Sequence, residues 1–235
     1  MTGTLLNIIT VLIGGLLGML FGARLPERIR ETVIAGLGLF TGAYGIQMFL
    51  KTENPIIVLG SLLVGGLLGE WWQIEKVLHR LGVFLEKRFA GGNGDAPQGS
   101  SFIRGFLIAS LVFCVGPMAI LGSIQDGLSG DYSILGIKSV LDGFASLAFA
   151  STLGVGVLFS TLVILVYQGG LSLLATQAQA MITTPMMGEM TAVGGILLTG
   201  IAISNLLELK SIRVGNFLPA LLVAPVTVFI LGVLG

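Results

Sequence analysis

The chain has 235 residues, of which 54% are hydrophobic and only 10% are charged. Its 12 basic and 12 acidic residues balance, so no overall charge indicates a nucleic-acid partner. A single cysteine excludes an internal disulfide and any multi-cysteine metal centre. Ordinary soluble domains carry about 25% charged residues, so this composition indicates an integral membrane protein.

Long apolar stretches follow one another along nearly the whole chain. A hydrocarbon core of about 30 Å requires about 20 helical residues. The pattern therefore predicts an all-α bundle of about eight transmembrane helices, at Leu5–Phe21, Val33–Leu50, Ile56–Trp72, Phe102–Leu121, Ile137–Gly154, Val157–Gln177, Thr191–Leu207 and Phe217–Leu234. No charge separates the fifth helix from the sixth. The alternative is that these two form one long helix, which would give seven transmembrane helices in total.

The segment between the third and fourth helices has a different pattern. Apolar and polar side chains alternate at helical spacing over residues 74–89, which predicts an amphipathic extension of the third helix lying along the cytoplasmic surface. Residues 90–101 are rich in Gly, Asn, Asp, Pro and Ser, which is typical of a flexible linker.

Basic residues give an orientation, because Lys and Arg accumulate in cytoplasmic loops. Three basic clusters follow the first helix, separate the third from the fourth, and precede the last. They share one side only if the fifth and sixth helices are separate crossings. The sequence then predicts eight crossings with both termini outside, and Lys138 near the outer end of helix five is the exception.

The two halves of the chain resemble each other. Residues 58–65 align with 193–200, and residues 106–112 align with 217–223. The alignment predicts a parallel duplication, with a first four-helix repeat over residues 1–122 and a second over 123–235. Repeats of this kind are common among secondary transporters, whose sites lie at the repeat interface near the membrane midplane.

The segment over residues 113–131 is the most unusual in the chain. Pro117 removes a helical hydrogen bond about 22 Å into the fourth helix, so the helix should kink or open there. Lipid offers no hydrogen-bond partner to the freed backbone groups. A discontinuous helix lining a solute or ion path is one interpretation, and a kink followed by an ordinary polar loop is the other. The candidate path residues at the break and at the outer mouth are Cys114, Gly116, Pro117, Ser123, Gln125 and Asp126.

The same segment carries a family resemblance. The runs over residues 114–118 and 122–128, together with Gly3 to Asn7 and the Gly14-Gly15 pair, resemble the YqgA/YdfK-like family of bacterial inner-membrane proteins of unknown function. The resemblance extends over nearly the full length. It implies a multi-pass protein of the bacterial inner membrane, and it supplies no substrate or catalytic residue to carry over.

Polar residues inside other predicted helices are further candidates, because intramembrane polar groups are costly and often functional. Asn7 and Asp142 occupy matching positions in helices one and five, at the offset of the repeat. A simpler interpretation is that Asp142 pairs with Lys138 four residues earlier. The candidates of this group are Asn7, Thr41, Gln47, Asp142 and Asn205.

The enzyme motifs considered are incomplete in this sequence or absent from it. Gly127-Leu128-Ser129-Gly130 resembles the Gly-x-Ser-Gly of intramembrane serine proteases, but His79, the single histidine, is expected on the other side of the membrane. The sequence contains no His-Glu-x-x-His and no phosphate-binding loop. Cys114 and Met118 could bind a soft metal, but two sulfurs one turn apart are more simply packing groups. We therefore expect no enzyme, no cofactor and no metal site.

Two functional hypotheses remain. The first is a secondary transporter or channel-like permease, whose partners are the lipid bilayer and a small solute or ion. The second is a non-transporting structural or sensory membrane protein, whose glycine-rich faces serve helix association or a homo-oligomer. Convergence of the candidate polar residues on one cavity would favour the first.

Overall fold

The computed structural model describes residues 1–22, 26–90, 101–177 and 182–234, and every regular element in these ranges is helical. The α-helices whose two ends both lie among the described residues, numbered in chain order, are α1 Thr2–Gly22, α2 Glu27–Phe49, α3 Pro55–Trp72, α4 Ile74–Leu85, α5 Ser101–Cys114, α6 Pro117–Ser129, α7 Ser133–Leu153, α8 Ser160–Leu173, α9 Thr184–Ile201 and α10 Ala220–Leu234. The predicted all-α membrane bundle is confirmed. The predicted linker at residues 90–101 lies outside the described residues except at its two ends.

Within the described ranges, six helical runs are long and apolar enough to span a membrane, and the bent pair α5 and α6 would make a seventh. One of the six is Ser133–Leu173, whose 41 residues span α7 and α8. A straight helix of that length would measure about 60 Å, twice the hydrocarbon thickness. The expected count of eight depends on this run crossing twice.

The contacts of α1 show that this run reverses direction. Gly14 and Gly18 of α1 lie against Gly143 and Leu147 of α7, so these two helices run parallel. On the side of α8 the order is reversed: Gly15 lies against Leu158, Asn7 against Gln168 and Met1 against Gly169. Helix α8 therefore runs antiparallel to α1. The reversal begins at Gly154, whose φ of 78° lies in the left-handed region that favours glycine. The contacts therefore support two separate crossings.

The chain forms two compact units, each assembled from two separate pieces. The first contains residues 1–36 and 79–178, and the second contains residues 37–78 and 179–235. This grouping differs from the predicted halves 1–122 and 123–235, since each half contributes to both units. Grouping by contacts does not test the duplication, which stays a prediction.

Helix α1 has two faces that explain how the first unit is built. One face presents large apolar side chains that are about half exposed or more, at one-turn spacing: Leu5, Ile9, Ile13, Leu16 and Leu20. The buried face carries Asn7 and the small residues Gly14, Gly18 and Gly22. Small residues let two backbones approach closely, and in lipid this packing replaces hydrophobic association. The sequence thus directs large side chains to lipid and small or polar ones to α7 and α8.

The second unit packs α3, α9 and α10 around Val58, Val193 and Ala220. Asn54 caps α3 by accepting a hydrogen bond from the backbone N–H of Ile56, and Pro55 follows at the first turn. Gln73 ends the helix in the left-handed conformation, so α4 begins as a separate helix and not as an extension of α3. Its apolar residues Val77, Leu81 and Phe84 are exposed on one stripe, as an amphipathic surface helix requires.

Several predicted boundaries were wrong. The fourth helix was expected to end at Leu121, but after the break α6 continues to Ser129. The seventh was expected to begin at Thr191, whereas α9 begins at Thr184 because Thr183 and Pro185 supply a helix start. The last α-helix begins at Ala220, after a 3-10 turn over Val214–Phe217.

Candidate functional site in the first unit

Asn7 lies at the centre of a buried polar cluster. Its side chain is fully buried, and its Nδ2 donates to Asp142 Oδ2 of α7 at 2.9 Å and to Gln168 Oε1 of α8 at 3.4 Å. One carboxamide therefore connects three helices of the first unit. We call Asn7, Lys138, Asp142 and Gln168 the polar centre.

The polar centre contains a buried ion pair. The ammonium of Lys138 contacts Asp142 Oδ2 four residues later on the same helix, and their side chains are only 8% and 12% exposed. The simpler interpretation of Asp142, pairing with Lys138, is therefore observed together with its bond to Asn7. Because the two charges cancel, the polar centre carries no net charge as long as the pair is intact.

The break between α5 and α6 lies beside this ion pair. The two helices meet at 63°, and Gly116 is in the extended conformation between them. Cys114, the last residue of α5, lies within electrostatic range of Lys138 and Asp142. Tyr167 of α8 lies within the same range of Cys114.

The bent pair crosses the unit from end to end. Ser101 Oγ at the start of α5 donates to the carbonyl of Leu153 at 2.7 Å, at the end of α7 that lies beside Gly22. Asp126 Oδ2 of α6 accepts from the backbone N–H of Gly3 at 3.1 Å, at the opposite end of α1. These contacts fit a broken span, and they do not fit a loop that returns to the side it entered from.

Five buried side-chain atoms on α1, α5, α6 and α8 have no hydrogen-bond partner among the described residues. They are Thr4 Oγ1, Asn7 Oδ1, Ser110 Oγ, Asp126 Oδ1 and Gln168 Nε2. A buried polar group left unpaired costs about 1–3 kcal/mol. Several such groups in one unit favour a binding or hydrated region over a dry core.

The remaining candidates of the broken span lie on α6 and not in a loop. Asp126 is buried, and its Oδ2 also pairs with the amino group of Met1 at 3.0 Å. Ser123 is buried and donates to the carbonyl of Ala119 at 2.5 Å, which is an ordinary helical side-chain bond. Gln125 is at the surface end, where its Nε2 donates to Asp131 Oδ2 at 2.6 Å. Pro117 begins α6.

Asp131 closes the turn from α6 into α7. The hydroxyl of Ser133 donates to its Oδ1 at 2.5 Å, and the backbone N–H of the same residue donates at 2.9 Å. These bonds stabilise the carboxylate, so the pKa of Asp131 lies below its ordinary value, mainly because of the Ser133 hydroxyl. The turn therefore depends on an ionised side chain.

Three predicted path residues belong to the second unit. Thr41 and Gln47 are on α2, where Thr41 is buried and Gln47 is exposed. Asn205 is half-buried in a π-helical turn over Ala202–Leu206 that follows α9. Within the first unit, the structure gathers Asn7, Cys114 and Asp142.

Sequence reasoning missed two important residues. The position of Gln168 in the sequence gives no indication of its contact with Asn7. Glu189 lies between the sixth and seventh predicted helices, but it is buried in α9 and accepts hydrogen bonds from Thr52 Oγ1 at 2.6 Å and from two backbone N–H groups at 3.0 and 3.1 Å. It therefore holds the turn that leads into α3.

In the part of the chain that the structure describes, no group of three or more His, Cys, Asp or Glu side chains could hold a metal ion. The polar centre offers hydrogen-bond donors, acceptors and one ion pair. Such an arrangement can bind a small polar solute, water or a proton.

The fold and the polar centre define a polytopic helical membrane protein with a buried polar site. The chain belongs to the family described as protein of unknown function DUF554, which it matches over residues 2–229. It is 31% identical over 239 residues to the uncharacterized membrane protein YdfK of Bacillus subtilis, covering 100% of this chain and 99% of that protein. It is 37% identical over 225 residues to the uncharacterized protein YqgA of Escherichia coli, covering 94% of each. No solved structure matches it.

Proposed function

We propose that the chain is a small secondary transporter or channel-like permease for a small solute or ion, without enzymatic activity or cofactor. The observation that carries the proposal is the polar centre, where Asn7, the Lys138–Asp142 pair and Gln168 are buried beside a broken helix. A buried ion pair is weak evidence for stability, since apolar residues of similar volume often serve as well. Intramembrane charges that face a bundle interior are common on solute and ion paths.

The charge distribution supports a bacterial cytoplasmic membrane with both termini outside. In the first unit, Arg28 follows α1 and Arg104 lies near the start of α5, while Asp126 and Asp131 are at the opposite end. In the second unit, Arg213 lies at the opposite end of α3 from Glu53. The expected orientation can be measured by labelling single cysteines at residues 28 and 213, which should react only from the cytoplasmic side.

The permease is tested by reconstitution into liposomes and a flux screen of ions, metals and amino acids. Asp142→Asn and Asn7→Ala should lower the flux of the transported solute while the protein stays folded. Val140→Ala and Ile9→Ala are matched controls, because both side chains are about half exposed on the same helices and should leave the flux unchanged. The absence of flux across the whole panel would count against the proposal.

The alternative is a non-transporting structural or sensory membrane protein, which the close helix packing favours. A Cβ at Gly14, Gly18 or Gly22 would collide with a backbone carbonyl of α7, so these glycines serve association inside the chain. If the Asp142 and Asn7 variants lose stability without any effect on flux, the polar centre belongs to this second function.

A further inference from the structure

We propose that Asp126, Thr4 and Asn7 line a hydrated path that carries protons from the surface where α1 begins to the Lys138–Asp142 pair. The inference rests on the proposed permease and identifies the proton as its driving ion. It starts from the unpartnered atoms on the buried face of α1 and on the helices around it.

The three unpartnered oxygens follow one another from the start of α1 toward Asp142. Asp126 is held against the first turn of α1 by its bond from the Gly3 N–H, and Thr4 is the next residue on α1. Asn7 lies one turn further along the same helix, so Thr4 and Asn7 share a face. Each of these three side chains is at most 3% exposed, and each retains one oxygen without a partner among the described residues.

The mixture of atoms indicates water as the occupant. Asp126 Oδ1 and Asn7 Oδ1 can only accept hydrogen bonds, whereas Gln168 Nε2 can only donate and the hydroxyl of Thr4 does both. A bare cation would satisfy the oxygens and leave the amide N–H groups unpaired. Water satisfies both kinds of group, and chains of water conduct protons.

The path ends at a group that can use a proton. Asn7 Nδ2 bonds directly to Asp142 Oδ2, which also contacts the ammonium of Lys138. A proton that enters at Asp126 and moves along the water converts the Asp142 carboxylate into a neutral acid. Lys138 keeps its own proton, so the ion pair is broken and the polar centre gains one positive charge. Release of the same proton to the opposite side of the membrane, as a proton-driven permease requires, restores the pair.

The groups around Asp142 are defined for each packed helix. Lys138 is on its own helix, Cys114 of α5 lies within electrostatic range of it, and Tyr167 of α8 lies within the same range of Cys114. Helix α1 contributes the neutral Asn7, and α6 contributes Asp126 at the entrance. Among the described residues, Lys138 is the cation whose ion pair with Asp142 is broken when the proton arrives.

The path is tested first by thiol accessibility, for which the single native cysteine gives a convenient background. In Cys114→Ala protein, Thr4→Cys should react with a small charged methanethiosulfonate added to proteoliposomes. Val11→Cys, which is fully buried on the same helix, should stay unreactive. Size-exclusion chromatography checks that both variants are folded. Equal reactivity of the two positions, or none at either, would overturn the hydrated path.

Proton movement is tested in vesicles loaded with a pH-sensitive dye, under an inside-negative potential set by potassium and valinomycin. Wild-type protein and Val140→Ala should acidify the lumen faster than protein-free vesicles do, and Asp142→Asn should return the rate to the protein-free value. Acidification that is no faster than in protein-free vesicles overturns the proton path. Solute flux that does not change with a pH gradient would support the permease and reject the proton path. Proton entry without flux of any solute would support the proton path and reject the permease.

Discussion

The Lys138–Asp142 pair gives the sharpest test of the polar centre. Lys138→Met leaves the Asp142 carboxylate buried without a counter-charge. Asp142→Asn likewise leaves the Lys138 ammonium buried without a counter-charge. Breaking one partner of a buried pair costs about 3–5 kcal/mol. We therefore expect each single variant to lower the ratio of folded to unfolded protein by roughly two to four powers of ten.

The double variant should behave differently. When Lys138→Met and Asp142→Asn are combined, no charge is buried, and the new amide oxygen still accepts the bond from Asn7. The bond to a neutral acceptor is weaker by about 1 kcal/mol, so the double variant should lie within about 1–2 kcal/mol of wild type. The coupling energy between the two sites should then be about 4 kcal/mol or more.

The assay is equilibrium unfolding in mixed micelles with increasing SDS, followed by far-UV circular dichroism, with Val140→Ala as the control. The same proteins are then compared for flux in liposomes, where the double variant should be folded and inactive. If the double variant is as unstable as the sum of the two single variants, the two charges do not act as a pair and the reasoning is refuted.

Three further predictions concern packing and turns. Gly18→Ala should cost about 1–3 kcal/mol because its methyl group meets a backbone carbonyl of α7, whereas Gly136→Ala, which meets nothing within 4 Å, should be tolerated in the same unfolding assay. Glu189→Ala should destabilise by about 1–3 kcal/mol and free the turn before α3, which amide exchange would detect; unchanged exchange would contradict its role. The lowered pKa of Asp131 stabilises the start of α7 above its ordinary pKa of about 4, and this contribution should vanish as the pH falls through the lower folded-state value. Asp131→Asn should remove that pH dependence of amide exchange in the first turn of α7.

The sequence was sufficient for the membrane class and for part of the polar centre. Apolar runs of bilayer length identify the spans, and the family resemblance is confirmed by the match over residues 2–229. The predicted duplication indicates Asn7 and Asp142 as matching positions, and the two side chains are bonded to each other. The break before Pro117 followed from the missing N–H of proline.

The other features of the polar centre depend on contacts between residues that are distant in sequence, which hydropathy does not reveal. Asp126 was expected in a loop because polarity rises there, but the start of α1 supplies the partners that let α6 continue past it. Gln168 reaches Asn7 only because α8 folds back along α1 after the left-handed residue Gly154. Thr41 and Asn205 look equally polar in sequence and belong to the other unit. Contacts between distant helices decided each of these cases.

The parallel packing of α1 against α7 has a consequence for biosynthesis. Helix α1 leaves the ribosome first, yet the helix that covers its glycine face and binds Asn7 is made only after the first four spans. Until then Asn7 has neither Asp142 nor Gln168 as a partner inside the bilayer. The nascent protein must therefore shelter this side chain in the insertion machinery or at the headgroup boundary, and assembly of the first unit waits for translation to pass residue 168.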